Sequence, residues 1–211
     1  MISNNLYVIA AIAGNFYQES QVNPGAWENW TVGDPGFGLG QWTDNPPQVM
    51  RRTALFDWLA QNGYMRQDGD GQLEFLVHEN LWIPSLITPS AYNTLTDYFA
   101  STSTNLSDLV GEFMYHWEGI NDASFSTRLT AATLFLSDFQ NDPGTRVPWH
   151  SLNAQLSLTE SRENAMHVLD FFLGGTPPEP PGPDEPTAEE LLAMLALAKK
   201  KKMKGGIWIS W

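Results

Sequence analysis

The sequence predicts a mainly α fold with a glycine-rich loop near its start, followed by a proline-rich spacer and a short basic tail. Three observations carry this. Apolar residues recur at helical spacing in a series of separate stretches. Strand-type alternation is weak throughout. Glycine and proline cluster at the breaks between stretches. The chain has 211 residues, 42% hydrophobic, enough for one core of roughly 150 residues plus an appendage. Nine tryptophans exclude a disordered chain. No apolar run approaches the roughly 20 residues of a membrane-spanning helix.

Residues 3–18 carry Leu6, Ile9, Ala10, Ala13 and Phe16 at helical spacing. Ala11-Ile12-Ala13 mimics a signal cleavage site, but residues 1–5 hold no Lys or Arg, so this is read as a buried first helix. Residues 20–47 read as a long loop, with Asn23-Pro24-Gly25, Gly33-Asp34-Pro35-Gly36, Gly38 and Gly40. Long loops inside compact domains are usually functional. A helix is expected over 47–62, stopped at Asn62-Gly63. Further helices are expected over 71–82, 90–101 and 106–118, the last capped by Ser107 or Asn105. Asp122 or Ser124 caps another at 125–140, Asn141-Asp142-Pro143-Gly144 is a turn, and a last helix spans about 158–172. The domain is therefore placed at 1–175. Residues 176–186, TPPEPPGPDEP, form an extended spacer. Residues 187–211 begin with a Thr187-x-x-Glu190 capping box and end in lysines and Trp208 and Trp211.

Charge divides the chain in the same place. All five lysines fall between Lys199 and Lys204, so residues 1–186 set six arginines against 22 acidic residues. That body repels nucleic acid, since phosphate binding needs clustered cations. The tail reads as a docking segment with aromatic anchors, as a basic segment for a membrane surface, or as a solvated terminus; docking is favoured.

With no Cys, the chain has no disulfide, thiol nucleophile or Cys-ligated zinc. His78, His116, His150 and His167 lack zinc-peptidase spacing, and Ser20 is outside a G-x-S-x-G elbow. Asp68-Gly69-Asp70-Gly71 is read as a turn, not a calcium loop. No metal and no cofactor are expected. The strongest candidate is Glu19, at the end of an apolar helix and facing the glycine-rich loop. A carboxyl in an apolar pocket resists ionisation and serves as a general acid. Trp27, Trp30 and Trp42 offer flat faces for sugar rings. A solvated Glu at a helix end and core tryptophans are the plainer readings.

The run GNFYQES-x-x-NPGAW (14–27) followed by GFGLGQW (36–42) resembles the phage tail lysozymes. These are virion-borne muramidases of short-tailed phages. The run is more distantly similar to soluble lytic transglycosylases and goose-type lysozymes. The resemblance covers about residues 5–140, weakly after 60. It implies a lysozyme-like fold with Glu19 as catalytic acid. It also implies a cleft shaped by Ser20, Asn23 and the Gly36–Trp42 loop, with Phe37, Gly38, Gly40, Gln41 and Trp42, beside Trp27. Glu118, in Phe113–Glu118, resembles the aromatic–Glu pair of a later family helix, and Arg128 a following Arg. Glu118 either lines the cleft or pairs with Arg128 on the surface. A two-acid hydrolase needs a second carboxylate, for which Asp34 is the first candidate and Asp44 the next. The related transglycosylases manage with one Glu.

The implied substrate is the peptidoglycan glycan strand, cut at the β-1,4 bond between N-acetylmuramic acid and N-acetylglucosamine. An acidic body gains no steering towards polyanionic walls, so tethering in a virion, docked to other tail proteins through 187–211, fits better than free diffusion. The rivals are a catalytically silent structural or wall-binding virion protein and a lysis enzyme released late in infection.

Overall fold

Helix α1 (Leu6–Ser20) is the axis of the fold: every residue from Val8 to Phe16 is buried. The computed structural model describes residues 2–45, 49–84, 88–141 and 146–174. The turn residues 142–144, the spacer 176–186 and the tail 187–211 lie outside them. Asn5 starts α1 by accepting the Tyr7 N–H at 3.0 Å. Around it pack α5 (Leu106–Phe113), α6 (Phe125–Gln140) and α7 (Leu158–Leu173), with α6 in the most extensive contact. Gly14 permits that approach. A Cβ there would lie 2.6 Å from both the Ala132 Cβ and the Arg128 carbonyl oxygen.

The mainly helical class holds: α2 (Arg51–Gln61), α3 (Gly69–Glu79) and α4 (Leu95–Phe99) complete the α-helices among the described residues. The stretch read as pure loop contains strands. β1 (Gly36–Phe37), β2 (Trp42–Asn45) and β3 (Val49–Met50) form an antiparallel sheet in that order, with Phe37 opposite Trp42 and Asp44 opposite Met50. Strands of two to four residues are too short for alternation to reveal. Their pairing also delays the helix expected from residue 47 to Arg51.

Other boundaries have local causes. Asp68 accepts the Gly71 N–H at 3.0 Å, so the Asp-Gly-Asp-Gly run starts α3. The helix expected over 90–101 shrinks to α4, opened by a Thr94–Asp97 capping box. Asn105, not Ser107, caps α5. Ser124 sits at the start of α6 but does not cap it; its hydroxyl accepts from Arg128 Nε at 3.0 Å instead. The helix expected over 106–118 changes form after Phe113 into one π-helical turn, Met114–Glu118, closed by Gly119 in the left-handed region. That wider turn puts Trp117 into the core, stacked on Phe113 at 4.8 Å and edge-on to Trp42 at 5.6 Å. Among the described residues no helix is long and apolar enough to cross a membrane.

Candidate active site

The end of α1, the π-helical turn and the first turns of α6 converge. Glu19, in the last turn of α1, is ion-paired with Arg128 of α6. Glu118, in the π-helical turn, brings Oε1 to 3.4 Å from Arg128 Nη1, within ion-pair range but without a hydrogen bond. Glu19 and Glu118 thus stand beside the same guanidinium, close enough for the charge on one to act on the other. Side-chain exposure falls from 20% at Glu19 to 4% at Glu118 and 1% at Arg128. Burial pushes the Glu118 carboxyl well above the usual carboxylate range, and the negative Glu19 beside it adds to this. Arg128 and the more distant Arg51 oppose the shift without cancelling it.

Glu19 and Glu118 lie in the wall of a cleft of about 910 Å³. Trp27, Trp30, Gly40, Gln41, Thr43 and Arg51 also line it. Gly40 crosses directly over Trp117, and a Cβ there would overlap the indole. The neighbouring Gln41 takes a left-handed φ of 47°, which costs about 1 kcal/mol or more for a residue other than glycine. Its Nε2 donates to the carbonyls of Gly38 at 3.0 Å and Ala26 at 3.3 Å, leaving Oε1 buried without a hydrogen bond. Arg51 is locked by two hydrogen bonds to Glu79, at 2.7 and 2.9 Å, and lies 4.6 Å above the Trp117 ring. The cleft thus offers indole faces, amide and backbone groups and a carboxyl pair, a lining suited to a neutral polyhydroxyl chain.

Several expected positions serve the frame instead. Ser20 is buried and donates to the Leu39 carbonyl at 2.9 Å, tying the loop to α1. Asn23 is buried and donates to the carbonyls of Leu152 and Ala154 at 2.6 and 2.9 Å. Phe37 and Trp42 belong to the core, and Trp42 Nε1 donates to Glu79 at 3.3 Å. Gly38 packs against Gln72 and does not line the cleft. Asp34 does not line it either; its carbonyl accepts from Arg52 Nη1 at 2.6 Å. Asp44 is engaged by Thr53, at 3.0 Å from its N–H and 2.7 Å from its hydroxyl, and by Arg52 at 3.2 Å. Glu19 lies against a guanidinium rather than in the apolar pocket expected for it.

Two contributors carried little signal. The far wall is held by residues 150–156. Asn153 accepts the Trp27 N–H at 3.1 Å and donates to the Trp30 carbonyl at 3.1 Å, while the Leu156 N–H donates to Gln21 at 2.7 Å. Arg128 lies 109 residues from Glu19, and no spacing rule joins them.

The site is thus a carboxyl pair on a helical domain, overhung by a glycine-bearing loop. Residues 5–139 match the phage tail lysozyme family model, and the chain belongs to that family. Part of the chain is also similar to Morphogenesis protein 1 of Bacillus phage B103, 37% identical over 73 residues. That match takes in 34% of this chain and 18% of the relative, so the chain spans a minor part of the relative's length.

Proposed function

We propose that the protein is a tail-associated muramidase that cleaves the β-1,4 bond between N-acetylmuramic acid and N-acetylglucosamine, opening the host wall for DNA delivery. The observation that carries this is the convergence of Glu19, Glu118 and Arg128 in the wall of the cleft. Glu19, the more exposed carboxyl, protonates the bridging oxygen as general acid. Two-acid glycosidases hold their carboxyls about 5–9.5 Å apart across the sugar. Here both carboxyls reach one guanidinium, Glu19 as its close partner and Glu118 at 3.4 Å, so they act from one side as a unit holding one proton. The anomeric carbon is captured by water or by the muramic 6-hydroxyl, and the product end group identifies which. The relative's name and its Bacillus phage origin support a virion component acting on a Gram-positive wall. Residues 187–211 dock to other tail proteins in this reading. Normal packaging of a protein lacking 176–211 into virions would rule that out.

The test is digestion of purified peptidoglycan by wild type and Glu19→Gln, with products read by mass spectrometry. Reducing muramic ends made only by wild type mark hydrolysis, and anhydro ends mark transglycosylation. The substitution lowers the rate by about 10²- to 10⁴-fold. A folded Glu19→Gln protein that cleaves at the wild-type rate would falsify the assignment.

A further inference from the structure

A buried guanidinium must have its donors met. Arg128 meets them through three side chains, one at the start of its own helix and two on α1. Nε donates to Ser124 Oγ at 3.0 Å, Nη1 to Asn15 Oδ1 at 2.9 Å, and Nη2 to Glu19. Asn15 stands one helical turn before Glu19 and is itself fixed, since Nδ2 donates to the carbonyls of Ala11 at 2.9 Å and Val110 at 3.3 Å. The fork is therefore aimed before any substrate arrives. It reaches two carboxyls unequally, pairing closely with Glu19 and standing 3.4 Å from Glu118. One buried cation balances one carboxylate, and a second ionised carboxyl in the same place would be left without compensation.

We propose that Arg128 is a positioning residue for the cleavage, holding Glu19 at the cleft as the charged partner and leaving the pair's single proton on Glu118, which resupplies Glu19. This rests on Glu19 being the general acid. The Glu118 O–H bond breaks as the Glu19 O–H bond forms. Glu19 then gives that proton to the bridging oxygen, which takes the electron pair of the breaking C–O bond. Two carboxylates now face two positive charges, Arg128 and the sugar cation. The proton released when water or the 6-hydroxyl attacks returns to the pair. The other charged groups nearby are Arg51 of α2 with Glu79 of α3, Asp122 ahead of α6, and Glu28 in the cleft wall.

The test is the pH dependence of cleavage of soluble glycan strands by wild type, Arg128→Gln, Arg128→Lys and Glu19→Gln, with folding checked by thermal melting. Without the cation both ionisations of the pair rise, so the bell-shaped profile of Arg128→Gln moves to higher pH. Its kcat falls about a hundredfold, with KM held within about twofold. Arg128→Lys keeps the charge but not the fork, so its profile stays in place while kcat falls about tenfold. An unmoved profile in folded Arg128→Gln overturns the proposal. Should Arg128→Gln not fold, a wild-type kcat in Arg128→Lys overturns it. An active Glu19→Gln removes the underlying reading, whereas an inactive one beside an unmoved Arg128→Gln profile removes this proposal alone.

Discussion

Glu118 is buried and Asp70 half-buried, both carboxyl groups held above the usual range, yet their surroundings differ in kind. Asp70, in the first turn of α3, is pushed up to about 6, chiefly by burial, with Asp68, Glu74 and Asp170 adding to the shift and the Trp149 hydrogen bond opposing it. Trp149 Nε1 donates to Asp70 at 3.2 Å, and its ring stacks on His167 at 4.6 Å. Burial in turn lowers His167. No residue of this cluster lines the cleft. Around Glu118 the same burial meets a second carboxyl, a cation and open space for a ligand. A displaced titration therefore marks burial. Convergence of opposite charges on a cleft marks a site.

Crossed substitutions break this comparison most sharply. Glu118→Gln is expected to lower cleavage by about ten- to a hundredfold while leaving the melting temperature nearly unchanged, because an amide replaces a group already neutral. A wild-type rate would make Glu118 a framework residue like Asp70. Gly40→Ala tests the cleft wall. Its methyl group meets the Trp117 ring, so a loss of about 1–3 kcal/mol is expected in denaturant unfolding, together with reduced activity. Unchanged stability would mean that the loop relaxes freely.

Asp70→Asn sharpens the other side. The folded-state value is raised, so the stability Asp70 contributes is present below about pH 4 and is lost as pH rises through about 6. At pH 7 the amide removes that penalty, a gain of about 1–2 kcal/mol after allowance for partial solvent screening, with cleavage unaltered. Melting curves from pH 4 to 7 read this out; a wild-type slope in the variant counts against it. The smallest effect is expected at Ser157, whose hydroxyl accepts the Glu160 N–H at 3.3 Å in the α7 capping box. Ser157→Ala costs about 1 kcal/mol. It should leave the rate untouched, showing that a modest stability loss does not by itself lower cleavage.

Much of the helical framework was legible because it rests on local pattern. The sequence placed the helix at 125–140 and the stop at Asn62-Gly63, and both stand in the structure. Glu19 stood out through its neighbours in the chain, and the structure brings Glu19, Glu118, Trp27, Gly40 and Gln41 to one cleft. What stayed hidden depends on long-range partners. Ser20 and Asn23 looked like ligand-facing polar residues, but their acceptors are carbonyls 19 and 129 residues away. The π-helical turn leaves no trace in apolar spacing, yet it decides where Trp117 and Glu118 point. Arg128 was legible as a partner of Glu118, but its closer pairing with Glu19 of α1 depends on a helix crossing that no local pattern records.

The crossing of residues 150–156 over the loop after α1 bears on how this domain is handled as a part. The family match ends at residue 139, but the clamps on the cleft's far wall come later. Asn164 of α7 donates to the Val22 carbonyl at 2.8 Å, and the Phe172 carbonyl accepts the Ile2 N–H at 2.9 Å, closing the chain on itself. A graft cut at the edge of the shared pattern would carry the carboxyls and leave their bracing behind. A graft that keeps the bracing has to include both Ile2 and the end of α7.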